Sequence, residues 1–138
     1  MTKGNADGIN KTLEIVDRDF EGLCFVNLVD FDMLYGHRND VDGYAKALSY
    51  FDDKLSEICD KMKDEDILII TADHGCDPTT ASTDHSREYT PMIIYGKAIK
   101  SGVNLGTRKG FADTGATVLE YLGIKEKNKG KSFLKEVT

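Results

Sequence analysis

The three histidines of this 138-residue sequence each lie within a few residues of an aspartate, in segments that have the composition of loops. Imidazole and carboxylate groups together suit a divalent transition ion such as zinc, manganese or iron. A single Asp–His pair on a loop is most often a cap or a surface hydrogen bond, but three such pairs make coincidence a poor explanation. We therefore predict a metal site built from the segments 30–37, 71–75 and 83–85.

A strand, a helix and a second strand are predicted to position the first two segments. Residues 23–29 and 67–70 are mostly apolar runs of strand length, which is typical of strands covered on both faces. Between them, apolar residues recur at three- and four-residue steps over 41–62, and Asn39 or Asp40 could cap that helix. A strand–helix–strand unit implies two parallel strands joined by a right-handed connection.

Parallel strands would bring the candidate ligands together. Segments 30–37 and 71–75 follow the carboxyl ends of the two predicted strands, so both would leave the same edge of the sheet. Open α/β sheets bind their ligands at that edge. Segment 83–85 follows shortly after and can fold back over it.

The rest of the chain completes an α/β pattern. Residues 91–95 form a third predicted strand, and weaker helical patterns cover 12–20 and 114–121. The charged segment 125–131 is predicted to be a surface loop. The expected fold class is α/β with a mostly parallel sheet, in one domain over residues 1–138 without a separate second domain.

Composition narrows the classes of partner. The net charge of −6 argues against nucleic acid as the main partner, and no apolar run is long enough to span a bilayer. The amino terminus has no signal-peptide pattern, and three widely spaced cysteines indicate reduced thiols. We expect a cytoplasmic protein with no nucleic-acid or membrane partner, and with Cys24 and Cys59 buried. The oligomeric state stays open.

Five blocks of the sequence, 27–38, 71–79, 83–91, 111–117 and 130–134, follow one another along nearly the whole chain. In this order they resemble the phosphopentomutases of the alkaline phosphatase superfamily, whereas the tripeptide Asp-His-Gly alone marks only the wider superfamily. The resemblance implies the carboxy-terminal part of an alkaline-phosphatase-like α/β/α core, with the family's cap domain absent.

The resemblance also implies a ligand set for two divalent metal ions, manganese in this family. Asp32, His37 and His85 would hold one ion, and Asp73 with His74 would hold the other. Asp30 competes locally with Asp32, but the family pattern places its histidine five residues after the ligating aspartate, which favours Asp32.

The implied activity is the interconversion of ribose or deoxyribose 1-phosphate and 5-phosphate, a step of nucleoside metabolism. The family uses a phosphorylated threonine that matches no residue here, so we expect no catalytic nucleophile in this chain and no turnover by the chain alone. The implied substrate is a pentose phosphate. Arg38 and Arg87 are weak candidates for phosphate binding, and ion pairing with nearby acids is an equal alternative.

Two alternatives and one departure remain open. Cofactor-independent phosphoglycerate mutase has a related motif with one residue fewer between aspartate and histidine, and a non-catalytic metal-binding module would need only the three-ligand site. Cys76 stands where the family more often has asparagine. Its thiol could approach a metal, although a substitution by another small residue is the simpler interpretation.

Overall fold

The computed structural model describes residues 2–138. No helix among them combines the length and the apolar character that crossing a membrane requires. In chain order the elements are α1 (Asn5–Val16), a π-helical turn (Phe31–Tyr35), a 3-10 turn (Gly36–Arg38), α2 (Val41–Lys61), β1 (Leu68–Thr71), β2 (Met92–Tyr95), α3 (Ala112–Tyr121) and α4 (Leu134–Val137).

The long helix α2 confirms the prediction from apolar spacing. Its N-cap is Asp40, whose carboxylate accepts a hydrogen bond of 2.9 Å from the Gly43 backbone N–H. This bond satisfies one of the amide groups that a helix start leaves unpaired. The apolar stripe packs against α1 and the π-helical turn, with Ile58 buried near its carboxyl end.

Helix α1 begins earlier than the predicted helix over 12–20. Its first residue, Asn5, donates its backbone N–H to Asp30 Oδ2 at 2.7 Å, and the Asn5 amide oxygen accepts from the Asp30 backbone N–H at 2.9 Å. The stabilising carboxylate lies 25 residues away in sequence. The sequence patterns that predict helix starts use only neighbouring residues, so they do not include this long-range bond.

The sheet differs from the prediction. Strands β1 and β2 pair with each other, which confirms two of the three predicted strands. The Thr71 hydroxyl, at the end of β1, donates to the Pro91 carbonyl beside the start of β2, while Gly96 after β2 lies against the Asp66 carbonyl before β1. The two strands are therefore antiparallel, and the structure does not show the expected parallel sheet.

Residues 23–29 form no strand in this structure, contrary to prediction. The Phe25 side chain is 83% exposed, and Cys24, predicted to be buried, is exposed as well. Cys59 is half-buried. An apolar run predicts a strand only where a neighbouring strand supplies the ladder of backbone hydrogen bonds, and here none of the described residues does so.

The described chain divides into two compact units. The first comprises the residues through Lys63 together with Ile69–Ile93, and it contains α1, α2 and all three histidines. The second comprises Asp64–Leu68 and Ile94–Thr138. In the second unit, a small core includes Phe133 and Val137, which lie at the two ends of α4, and no sequence pattern predicted this short helix.

Candidate metal centre

The π-helical turn positions the first two candidate ligands. The Gly36 backbone N–H, which follows the π-helical turn, donates to the carbonyls of Phe31 and Asp32. Asp32 lies in this turn, and His37 follows five residues later in the 3-10 turn. Their side chains face each other, with His37 Nε2 3.4 Å from Asp32 Oδ1. The two consecutive turns thus bring the carboxylate and the imidazole together.

A closed loop positions the other two histidines. The backbone N–H of Ser86 donates to the Gly75 carbonyl at 2.9 Å in an antiparallel bridge, and we call the segment between them, residues 75–86, the closed loop. His74 and His85 lie at its two ends. Their rings stack with centroids 3.7 Å apart and planes inclined by 22°. The bridge therefore brings together two histidines that are eleven residues apart in sequence.

Three ligand atoms converge in this region. Asp32, His37 and His85 each offer one, and the three atoms lie within 4.8 Å of one another. His85 Nε2 is 3.3 Å from Asp32 Oδ1 and 3.1 Å from His37 Nε2. Metal–ligand bonds of about 2.0–2.2 Å in tetrahedral or octahedral geometry separate neighbouring ligand atoms by about 2.8–3.6 Å. The observed separations fit a single ion.

The oxygen at the middle of this cluster lacks an ordinary partner. Asp32 Oδ1 is shielded from solvent, and no hydrogen bond from residues 2–138 satisfies it. Buried polar atoms are nearly always paired, because an unpaired one costs the free energy of its desolvation. A cation bound between this oxygen and the two imidazole nitrogens would remove that cost, so the donor set fits a divalent metal.

Backbone carbonyls fix the orientation of two imidazoles. His37 Nδ1 bonds the Thr83 carbonyl, and His74 Nδ1 bonds the Gly75 carbonyl at 3.2 Å. A carbonyl only accepts, so each Nδ1 carries a proton, and this tautomer leaves Nε2 as the nitrogen that can offer a lone pair to a metal. Metal-binding histidines are typically held in this way.

Asp73 and His74 lie beside the cluster without completing a second one. His74 Nε2 is 3.6 Å from Asp73 Oδ1 and 4.0 Å from Asp32 Oδ1, and the Asp73 side chain is 80% exposed. Among the described residues, only Asp32, His37 and His85 form a group of three or more potential ligands. The structure therefore places Asp73 and His74 next to the three converging residues, without a third potential ligand of their own among the described residues.

The structure distinguishes Asp32 from its local competitor. Both oxygens of Asp30 lie against the start of α1, where Oδ2 accepts from the Asn5 backbone N–H. Asp30 therefore stabilises a helix start. Arg38 and Arg87 are exposed, and neither forms an ion pair with any residue in 2–138, so the structure assigns them no partner within the chain.

Cys76 packs against the same turn. Its sulfur lies over Gly36, where any side chain would collide with it. Burial raises the pKa of the Cys76 thiol, and the negative charge of the neighbouring Asp32 raises it further. Cys76 is not one of the three converging ligands. The close contact explains why residue 36 must be glycine.

Sequence comparisons place these observations among known proteins. A sequence model of the Metalloenzyme superfamily matches residues 2–126. A phosphopentomutase of Lachnoclostridium phytofermentans is 66% identical over 135 residues, which is 98% of this chain and 35% of the relative. Phosphopentomutases of Acetivibrio thermocellus and Desulfitobacterium hafniense are 61% and 60% identical, over 94% and 99% of this chain and 34% and 35% of their own lengths. The chain thus spans about a third of these relatives.

Proposed function

Because the chain belongs to the Metalloenzyme superfamily, we propose that it provides a metal-binding part of a phosphopentomutase. The relatives confirm the resemblance that the sequence motifs indicated. The proposed reaction of the whole protein is the interconversion of ribose or deoxyribose 1-phosphate and 5-phosphate. The observation that carries the proposal is the unsatisfied Asp32 Oδ1 facing two imidazole nitrogens at 3.3 and 3.4 Å.

In this proposal the residues of the chain act as ligands and not as acids or bases. Asp32, His37 and His85 hold one divalent ion, and the carbonyl of Thr83 keeps the His37 lone pair on Nε2. Such an ion supplies positive charge that stabilises the phosphoryl oxygens during transfer. Imidazole and carboxylate ligands suit manganese, zinc or iron, and we propose manganese because the resemblance favours it.

The second ion of the proposed pair would be held by Asp73 and His74 together with residues that have no match in this chain. The proximity of His74 to Asp32 supports a shared centre, since His74 Nε2 is 4.0 Å from Asp32 Oδ1. Arg38 and Arg87 are exposed beside these ligands and are candidates for contacts with the phosphate of a pentose phosphate.

The proposal extends to fold and location. We place residues 1–138 in the carboxy-terminal part of an alkaline-phosphatase-like core with a mostly parallel sheet. The exposed apolar side chains of Leu23 and Phe25 support a larger core, because apolar side chains are stabilised when neighbouring elements cover them. The proposed setting is the nucleoside metabolism of the cytoplasm.

A chimeric enzyme tests the function. The matching third of the Lachnoclostridium relative is replaced by this chain, and turnover of deoxyribose 1-phosphate and of phosphoglycerate is measured with added Mn²⁺. We expect turnover of the pentose phosphate, strong loss of it in Asp32→Asn, and little change in Asp84→Asn, which removes an equal charge nearby. The chain assayed alone should show no turnover, since it has no residue matching the family's threonine nucleophile.

The other outcomes separate the alternatives. Turnover of phosphoglycerate in place of the pentose phosphate would indicate a different mutase of the superfamily. Metal binding by the chain, with no turnover by a chimera that folds, would favour a non-catalytic metal-binding module. That alternative has one observation in its favour, because the three converging ligands all lie within this chain.

A further inference from the structure

Asn39 has an unusual backbone conformation beside the candidate metal centre. It follows the 3-10 turn that carries His37, and its φ of 51° lies in the left-handed region. No other non-glycine residue among 2–138 has a positive φ. Asparagine tolerates this conformation better than most residues, but glycine adopts it at lower cost. An asparagine at this position therefore suggests that its side chain makes contacts that glycine could not make.

The Asn39 amide lies against three carbonyls of the closed loop. Asn39 Nδ2 is 2.5 Å from the Thr80 oxygen and 3.3 Å from the oxygens of Pro78 and Ser82. The amide nitrogen carries two protons, so it can satisfy these acceptors only by sharing. The Asn39 amide thus holds residues 78–82 of the loop, while His37 Nδ1 bonds the Thr83 carbonyl and the Gly75–Ser86 bridge holds the loop ends.

His85 depends on this loop for its position. Its ring contacts Asp32, His37 and His74, but it makes no hydrogen bond to a backbone group within residues 2–138. His37 and His74, in contrast, are each held by a carbonyl. The backbone of the closed loop is therefore what brings His85 Nε2 to within 3.3 Å of Asp32 Oδ1.

We propose that Asn39 is a positioning residue of the metal centre, which holds the closed loop so that His85 completes the ligand set. The proposal rests on the proposed metal site, but its structural step, the ordering of the loop by the amide, does not need a metal. Asn39 touches no ligand atom itself. Its effect on binding passes through the loop carbonyls and His85.

The test compares cation binding by the wild-type chain and Asn39→Gly, using Mn²⁺ and Co²⁺ titrations. Glycine keeps the left-handed backbone available and removes only the amide. Loss of groups that orient a ligand typically weakens metal affinity about 10- to 100-fold, and we expect a loss in this range. The Co²⁺ absorption spectrum should also change as His85 is released. The matched control is Asn104→Gly, at an exposed turn where the amide accepts from the Gly106 N–H.

Each outcome decides the question. Weaker binding by the folded glycine variant, with an altered Co²⁺ spectrum and an unchanged control, supports the proposal, whereas wild-type affinity overturns it. If Asn39→Gly does not fold, Asn39→Asp takes its place. Aspartate lacks donors and adds a negative charge that should favour a cation, so weaker binding supports the proposal, and equal or stronger binding overturns it.

If the wild-type chain binds neither cation, the proposed function is refuted. The role of Asn39 can still be tested in that case. Hydrogen exchange of the backbone amides of 79–85 is then compared in the metal-free proteins. Faster exchange in Asn39→Gly than in the wild type supports the positioning role. Equal exchange overturns it.

Discussion

Charged side chains cluster in two regions of this molecule, and the regions differ in whether these side chains have hydrogen-bond partners. In the second unit, Arg108 donates to Asp113 at 2.9 Å, to Glu136 at 3.2 Å and to the Lys131 carbonyl at 3.2 Å. We call these four residues the Arg108 network. In the candidate metal centre of the first unit, the central oxygen of Asp32 has no hydrogen-bond partner among residues 2–138. Both regions are polar, but only the Arg108 network supplies hydrogen-bond partners for its own charged groups.

The difference indicates which region is a binding site. A network whose polar groups all have hydrogen-bond partners contributes to stability and has no free donor or acceptor for a ligand. The Arg108 side chain is only 17% exposed and stacks over the Phe133 ring, with the guanidinium carbon 5.3 Å from its centre. An unsatisfied cluster of similar residue types costs free energy unless a ligand completes it. Charge alone therefore does not mark a site, whereas an unpaired carboxylate oxygen that faces two imidazole nitrogens indicates one.

The largest expected effect comes from Asp32→Asn, which should weaken Mn²⁺ binding by about 100-fold or more, since an amide oxygen lacks the charge of a carboxylate. The metal-free protein should be no less stable, because Asp32 Oδ1 has no hydrogen-bond partner among residues 2–138 and asparagine keeps an oxygen for the neighbouring Cys76 thiol. Calorimetric titration measures the affinity and urea unfolding the stability. Asp84→Asn is the matched control, and equal binding by Asp32→Asn and wild type would break the comparison.

Arg108→Met should lower stability and leave metal binding unchanged, which is the reverse of the effects expected for Asp32→Asn. Removing the guanidinium leaves Asp113 and Glu136 without their cation, so the free energy of unfolding should fall by about 1–3 kcal/mol while metal affinity stays within about twofold. Urea unfolding and Mn²⁺ titration report the two quantities. Lys109→Met removes an exposed charge next to it and should change neither. A loss of metal affinity with Arg108→Met would contradict the assignment of this network to stability.

Thr117→Val should give a smaller loss of stability within the same unit. The Thr117 hydroxyl donates to the Asp113 carbonyl at 2.8 Å and accepts from the buried Phe133 N–H at 3.0 Å. Valine has a similar shape but leaves that N–H unpaired, at a cost of about 1–2 kcal/mol in unfolding free energy. Thr12→Val, which removes only a hydroxyl bond to the Gly8 carbonyl within α1, is the control and should cost less. Equal losses would show that the buried N–H has another partner.

The smallest effect is a dependence of stability on acid pH. The Lys131 backbone N–H, with a further contribution from Arg108, lowers the pKa of Asp113 below its ordinary value of 3.8. A lowered folded-state pKa stabilises the fold at pH values above 3.8, and this contribution is lost as the pH falls through the lower folded-state value. Circular dichroism in a urea series at pH 5 and below should show this loss. Asp113→Asn should flatten the dependence, and an unchanged slope would show that the Asp113 carboxyl is not its source.

The sequence predicted those elements whose signals are local. The long helix α2 followed from apolar spacing and a capping aspartate, and the two paired strands followed from short apolar runs between polar turns. The start of α1 at Asn5 was missed because its stabilising carboxylate, Asp30, is distant in sequence. Strand 23–29 was predicted from its apolar run and the parallel sheet from the strand–helix–strand order, and neither pattern reveals whether a partner strand is present.

The sequence predicted candidate residues for the site but not how they are arranged. Spacing alone indicated aspartate and histidine ligands, and the family resemblance selected Asp32 over Asp30. Nothing in the sequence indicated that Asp30 would be held at the start of α1, or that the Asn39 amide would hold the closed loop. Both depend on backbone groups brought together only by folding. The one local signal was an asparagine directly before the Asp40 cap, and it was interpreted as an alternative cap.

Anomalous diffraction from crystals of the chain grown with Zn²⁺ tests the central claim most directly. The account predicts a strong zinc peak about 2.0–2.2 Å from Asp32 Oδ1, His37 Nε2 and His85 Nε2. A peak held by other residues, or no peak at these three atoms at saturating zinc, would contradict it.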